Sequence, residues 1–387
     1  MIQSTPSQSP QSKLTIASNW RGSALKVEST LHQLAPYIGK LKSSIAASLV
    51  SHFTAPGDTV YDPFSGSGTV ALEAWSAGRH VIANDFSDYA VVLTRAKLFP
   101  SPSPERALSS LDRLAEHVEQ ELRAVDLRRV PIWVRQFFHP ETLRETIAWA
   151  HILIQHQQWF LLASLLGILH HQRPGFLSYP CSHTVPYLRA RAFPRNKFPE
   201  LYDYRSVESR LRAKIIRAFR RFPSLDYSLK RQCYSKSAAL LEPGTRVDAI
   251  ITSPPYMRQL DYARDNRLRL WFLGIDNHKE LEPRISPTRT RFLELMTSCF
   301  ERWKQVVKPG HCCVLVVGDT NRSSRRENLS DVLSDIAVNR VGGYSELDRH
   351  TELIPNERRV RRGLTGTTAE TILVLRNDSA SNKSHLR

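Results

Sequence analysis

The chain has 387 residues, room for one large domain or two, and its 54 Lys and Arg against 37 Asp and Glu give a formal net charge of +17. That excess points to a polyanionic partner. The longest apolar run, Trp159 to Leu169, is too short to cross a bilayer and reads as a buried helix. The five cysteines follow no paired spacing, and no Gly-Lys-Ser/Thr phosphate loop is present, which argues against a disulfide scaffold and an ATP-driven function.

Residues 1–19 are polar and rich in Ser, Gln and Pro, so they read as a disordered leader with no signal peptide; with the unpatterned cysteines this implies a reducing, cytoplasmic setting and no membrane. In residues 20–99, Asp58-Thr59-Val60-Tyr61 reads as a strand, Asp62-Pro63-Phe64-Ser65-Gly66-Ser67-Gly68-Thr69 as a glycine loop, and Val70 to Trp75 as a helix. Gly66 and Gly68 permit a tight turn and close approach of a ligand to the backbone. The spacing Gly66-x-Gly68-x-x-Ala71 also fits a dinucleotide fingerprint, so the glycines alone leave the cofactor open. Asp62 discriminates, because a carboxylate at a strand end repels pyrophosphate and complements an ammonium group. The next strand, Val81 to Asn84, leads to Asp85, suited to both hydroxyls of a ribose, and to Phe86, which can lie against adenine. An amino acid joined to a nucleoside is S-adenosylmethionine, and that is the expected cofactor.

A helix over Tyr89–Leu98 closes this half, and Pro100-Ser101-Pro102-Ser103-Pro104 marks a boundary. Residues 100–229 then form an insertion with helical periodicity over Ala107–Ala124, Glu141–His156 and Val207–Phe222. Between Leu188 and Arg231 thirteen basic residues face four acidic ones, interleaved with Tyr187, Phe193, Phe198, Tyr202 and Tyr204. Such a mixture suits phosphate neutralisation and base contacts, and Arg210, Arg217 and Arg221, at i, i+7 and i+11 of one expected helix, are the candidate DNA contacts. His170-His171 and Cys181-x-His183 match no common zinc spacing, so no metal is expected, and Cys181 reads as structural.

The sheet resumes in residues 230–376, ahead of a flexible tail at 377–387. Val247 to Ile251 reads as a buried strand that ends in Thr252-Ser253-Pro254-Pro255-Tyr256. Two prolines cannot donate to a ladder, so they stop the strand and fix an extended turn. That turn presents a hydroxyl, prolyl carbonyls and a ring at a strand's carboxyl end, where open α/β sheets bind ligands. Acceptors beside a stacking ring suit a planar substrate with an exocyclic amine.

The pairing of Asp62-Pro63-Phe64-x-Gly66-x-Gly68-Thr69 with Thr252-Ser253-Pro254-Pro255-Tyr256 resembles the amino-methylating DNA methyltransferases, which make N4-methylcytosine or N6-methyladenine. His32 to Leu41 looks like the family's motif that helps hold the methionine part of the cofactor. Val306 to Asp319 and Glu370 to Leu375 look like its late helix-turn-strand and final strand. The resemblance covers residues 30–99 and 230–376. It implies a class I methyltransferase-type α/β fold, doubly wound and mostly parallel with seven strands, carrying the helical insertion as target-recognition region. It implies Pro36, Tyr37, Lys40, Asp62, Pro63, Phe64, Gly66, Gly68, Thr69, Asp85 and Phe86 as cofactor contacts, and Ser253, Pro254, Pro255 and Tyr256 as the catalytic turn. One departure stands out: such enzymes carry an acid near the strand before the catalytic one, whereas Gln232 to Ala238 holds no carboxylate.

The implied reaction is methylation of duplex DNA on a base turned out of the helix. Ser253, in place of the Asp or Asn common in adenine enzymes, tilts the target toward cytosine N4, with adenine N6 as the alternative. The expected setting is restriction–modification, with a cognate restriction endonuclease acting on the same site, or solitary modification. An RNA guanine-N2 methyltransferase and a decayed DNA-binding protein are the rival readings.

Overall fold

The computed structural model describes residues 27–171, 175–182, 185–255, 261–318, 328–353 and 369–379. The leader expected at 1–19, Tyr256 and all but the first three residues of the expected tail lie outside the described residues. Among those described, seven strands build one sheet: β1 (Thr59–Asp62), β2 (His80–Asn84), β3 (Arg231–Tyr234), β4 (Val247–Thr252), β5 (Val307–Gly318), β6 (Tyr344–Leu353) and β7 (Ala369–Asn377). Their order is β3-β2-β1-β4-β5-β7-β6. Pairs are parallel from β3 through β5, and β7 runs antiparallel to both its neighbours. This is the doubly wound, mostly parallel sheet of a class I methyltransferase-type fold. Chain order reverses between β1 and β4, which opens a crevice beyond their carboxyl ends.

Alternation along the central strands makes two cores. Val60, Ala249, Ile251, Val314 and Val374 face one way, while Tyr61, Ile250, Cys313, Leu315 and Leu375 face the other. The first face is covered by α1 (Ser43–Phe53), α2 (Thr69–Ser76) and α3 (Asp88–Leu98). The insertion adds α4 (Pro104–Ala124), the single turn α5 (Ile132–Arg135), α6 (Pro140–Gln155), α7 (Trp159–Ile168) and α8 (Val207–Ala218). α4 starts where the proline-rich boundary ends, with Ser103 accepting from the Arg106 amide and Pro104 at the first helical position. α7 is apolar all round and buried, so the insertion shares one continuous apolar core with α1–α3.

After the Pro254-Pro255 turn come α9 (Tyr262–Asp265), α10 (Arg267–Phe272) and α11 (His278–Ile285), whose buried residues join that same core. α12 (Arg289–Val306) and α13 (Leu329–Asp335) cover the opposite face through Phe292, Met296, Phe300, Trp303 and Leu333. The helix expected over Val207–Phe222 ends at Ala218, so Arg221 lies beyond it and off the stripe formed by Arg210 and Arg217. Phe219 caps that helix with its amide turned back to the Ile216 carbonyl, which ends the α-helical ladder there.

Gly167 shows how tightly α7 is seated. A Cβ there would meet the Leu34 carbonyl oxygen at 1.9 Å, and this is backbone that cannot rotate away. Gly167→Ala therefore forces two main chains apart. Thermal unfolding should show a loss of about 1–3 kcal/mol or more, whereas a substitution on the exposed side of α4 should be near neutral.

Candidate active site

Two strand ends meet at the switch point. Asp62 ends β1 and Thr252 ends β4, and the parallel register that pairs Tyr61 with Ile250 sets them side by side. The Thr252 hydroxyl donates to Asp62 Oδ1 at 2.7 Å and accepts from the Phe64 amide at 3.2 Å. Asp62 is only 2% exposed. Burial pushes its carboxyl up to about 7, and the Thr252 hydrogen bond opposes this only in part. Asp85, just past β2, accepts from the Gly66 amide at 2.7 Å and the Ser87 amide at 2.9 Å; burial still raises it to about 6.

Gly66 and Gly68 have φ of 49° and 72°, the tight turn expected of them, which favours glycine at both. A Cβ on Gly68 would also stand 2.9 Å from Thr94 Cα of α3, so close helix packing excludes a side chain there. A Cβ on Gly66 would press on the Tyr37 ring at 3.3 Å. Behind the loop, buried Asn84 donates to the Pro63 carbonyl at 3.1 Å and the Lys236 carbonyl at 2.9 Å, and accepts from the Lys236 amide at 3.1 Å. One side chain thus fixes the turns after β1 and β3 together.

These elements enclose a cavity of about 330 Å³, within the range of small-molecule sites. Of the expected cofactor contacts, Tyr37, Lys40, Asp62, Phe64, Gly66, Thr69, Asp85 and Phe86 line it. Pro36, Pro63 and Gly68 are absent from its wall and support it from behind; the Pro36 carbonyl accepts from the Tyr89 hydroxyl at 2.6 Å. Lys40 is steered by the His32 carbonyl at 2.9 Å and by Glu28 at 3.7 Å. Ser253 and Pro255 also line the cavity, whereas Pro254 is buried beneath them. Ser237 joins the wall from beyond β3, and Tyr262, Arg284 and Leu295, which the sequence reading missed, join it from α9, α11 and α12. Ser237 lies within the stretch that lacks a carboxylate, so a hydroxyl faces the cavity there.

The Ser253 hydroxyl donates to the Val316 carbonyl of β5 at 3.0 Å. Its only proton is committed, so its lone pairs are left to accept from an incoming N–H. The candidate DNA contacts sit on the insertion: Arg217 is exposed, Arg210 donates to the Gly175 carbonyl, and Arg221 Nε donates to the Glu28 carbonyl at 3.0 Å. Cys181 is fully buried and its thiol is pushed up to about 11, which keeps it protonated and unsuited to nucleophilic attack. Among the described residues no group of three His, Cys, Asp or Glu is placed to hold a metal, and no helix is long and apolar enough to cross a membrane.

The residues present fit S-adenosylmethionine. A buried carboxylate with a raised pKa gains most from a cationic partner, as the ligand's ammonium would be, and Asp85 with Phe86 suits its nucleoside. The sign of the pH effect follows: below about 7 Asp62 holds a proton and cannot pair with an ammonium. Calorimetry with S-adenosylhomocysteine should give affinity that tightens by roughly tenfold from about pH 5.5 to about pH 7.5. Asp62→Asn should bind weakly and lose most of that dependence.

A family model described as D12 class N6 adenine-specific DNA methyltransferase matches residues 37–125, which include the glycine loop and Asp85 but stop short of the catalytic turn. A Type II methyltransferase, M.BsoBI of Geobacillus stearothermophilus, is 25% identical over 291 residues, 66% of this chain and 55% of that protein. The chain thus spans about half the length of this relative. Among solved structures, TrmN from Thermus thermophilus is 13% identical, covering 90% of this chain and 52% of that one, with a TM-score of 0.35. The rRNA methyltransferase aviRa from Streptomyces viridochromogenes is 12% identical, covering 92% and 94%, also with a TM-score of 0.35. Scores this low carry no argument, and the fold rests on the strand order itself. The motif pair, the strand order and the matched family model together support one family, the S-adenosylmethionine-dependent amino-methylating DNA methyltransferases.

Proposed function

We propose that the protein methylates an exocyclic amine of a base in duplex DNA, cytosine N4 in preference to adenine N6, with S-adenosylmethionine as donor. The observation that carries this reading is the committed Ser253 proton. With its hydrogen on the Val316 carbonyl, Ser253 Oγ is an acceptor at the cavity wall, and in this reading the Pro254 carbonyl behind it is the second. An exocyclic amine is a poor nucleophile because its lone pair is delocalised into the ring. Two acceptors on its N–H groups favour a pyramidal nitrogen whose lone pair turns toward the cavity.

When bound, the cofactor supplies an electrophilic methyl group on a sulfonium. The protein's part is positional: Asp62 and Lys40 hold the amino-acid end, Asp85 and Phe86 the nucleoside end, and the Pro254-Pro255 turn keeps the acceptors at a fixed height. A duplex base reaches this depth only after leaving the stack. The net charge of +17, with Arg217 exposed on α8, supplies a sequence-independent hold on the phosphates. Ser253 and the short acceptor reach favour cytosine over adenine. The matched model's description favours adenine, but its residues 37–125 exclude the turn that meets the base. Mass spectrometry of nucleosides from DNA methylated by the pure protein decides: N4-methylcytosine supports the reading, and N6-methyladenine replaces it.

Ser253→Ala should lower turnover by about tenfold, the worth of one such hydrogen bond, while the Kd for S-adenosylhomocysteine stays at the wild-type value. Unchanged turnover would remove Ser253 from the chemistry.

Recognition is tested separately on Arg217 and Arg210, leaving Arg221 in place because it anchors the Glu28 carbonyl. Replacing both with Gln should weaken duplex binding and reduce the slope of log K against log salt by roughly 0.9 for each phosphate no longer neutralised. A wild-type slope would move the DNA-binding face elsewhere.

A further inference from the structure

Across the cavity from Asp85, the Arg284 guanidinium lies over the face of Phe86, with its central carbon 5.8 Å from the ring centroid. The two residues are 198 positions apart, and both line the cavity. Phe86 follows the acid at the end of β2, and its ring is 37% exposed in a wall otherwise closed by packing. Arg284 is exposed and enters none of the ion pairs among the described residues; the ring face is the contact it makes.

The arm that carries Arg284 is anchored. Leu281 and Ile285 of α11 are buried in the core, on either side of Arg284 along the helix. Glu282 Oε2 accepts from the Ala263 and Arg264 amides at 2.9 and 3.1 Å, which ties α11 to the start of α9. An anchored helix therefore holds a flexible cation over an exposed aromatic ring.

We propose that Arg284 and Phe86 are the two jaws of a clamp for the adenine ring of the cofactor, an inference that rests on the S-adenosylmethionine reading above. Guanidinium planes stack on aromatic faces, and purines present such faces. A ring seated between the jaws needs contact of about 3.5 Å on each side, so the guanidinium and Phe86 must separate to roughly 7 Å. From 5.8 Å this is a retreat of the side chain alone, within the reach of arginine's torsions and with α11 left in place. The adenine is then gripped by its faces. This accounts for a nucleoside end that has a Ser237 hydroxyl and no carboxylate on the adjoining wall. It also places the clamp's outer jaw in the catalytic half of the chain, so the cofactor bridges both halves.

The test uses calorimetry with two probes, S-adenosylhomocysteine and 5′-methylthioadenosine, which lacks the amino acid. Arg284→Ala should weaken both by the same factor, about threefold to thirtyfold, because the jaw touches only the base. Arg284→Lys, which keeps the charge and loses the plane, should fall between. Asp62→Asn should weaken S-adenosylhomocysteine alone. Because Arg284 is exposed, the melting temperature of its variants should stay at the wild-type value, which separates a missing jaw from a damaged fold. Unchanged affinity in Arg284→Ala overturns the clamp, and tighter affinity overturns it too, since the side chain would then be a plug on Phe86. Unchanged cofactor binding with weakened duplex binding would assign Arg284 to the nucleic acid instead. Failure of the wild-type protein to bind S-adenosylhomocysteine would sink the cofactor reading and the clamp together.

Discussion

One hydroxyl joins the two halves of the site. Thr252 is the last residue of β4 and fully buried, and it donates to the carboxylate that ends β1 while accepting from the first free amide of the glycine loop. A valine would fill the same space and remove both of these hydrogen bonds, at a cost of about 1–3 kcal/mol. The contact exists only because β4 lies beside β1, which in turn requires the chain to travel through the whole insertion and back. Position in the sheet, rather than proximity in sequence, brings Thr252 and Ser253 to the glycine loop.

The same burial sets the electrostatics. Asp62 and Asp85 both lie in the cavity with carboxyls raised by desolvation. Asp62 holds its proton more tightly folded than unfolded, so it favours the folded state in acid, and that contribution is lost as pH climbs toward about 7. At neutral pH the site is therefore strained by its own charge, and a cationic ligand relieves it. Binding energy here comes from a penalty already built into the fold, which is the logic of a preorganised site.

Much of this was legible in the sequence, for reasons that differ by element. β1, β4 and the core of β5 are apolar runs that end in glycine or proline, and such runs have few alternatives. The glycine loop and the Pro-Pro turn carry their chemistry within eight residues, so local reading was enough to identify Asp62 and Ser253. β6 escaped because Ser345, Glu346, Asp348, Arg349, His350 and Glu352 give an edge strand no apolar stripe. α12 had the signal, with Phe292, Met296, Cys299, Phe300 and Trp303 on one face, yet nothing in its spacing announces that Leu295 reaches the cavity. Arg284 and Tyr262 were invisible for a deeper reason. Each meets the site through tertiary packing, and no periodicity records which side chain will face a cavity built mainly by another part of the chain. For Gly68 the sequence held the turn but not the neighbour, Thr94 of α3, whose backbone leaves no room for a Cβ.

The insertion's place in the core changes what it is for. The segment from Glu28 to Lys40, which contributes Tyr37 and Lys40 to the cavity, is held chiefly by groups outside the sheet. Its Thr30 amide donates to the Arg221 carbonyl at 3.1 Å, Arg221 Nε donates to the Glu28 carbonyl, and Lys214 Nζ donates to the Gln33 carbonyl at 2.7 Å. α7 presses its Gly167 against Leu34 in the middle of the same segment. On the other side, His32 reaches Glu73 of α2 at 2.6 Å, and buried Lys97 of α3 donates to the Ser67 carbonyl of the glycine loop. The wall beside the methionine end is thus pinned between the insertion and the glycine loop. Any shift of α8 would be carried through Arg221, Lys214 and Leu34 to Lys40. The basic region and the cavity wall are mechanically one structure, so the insertion supports the pocket.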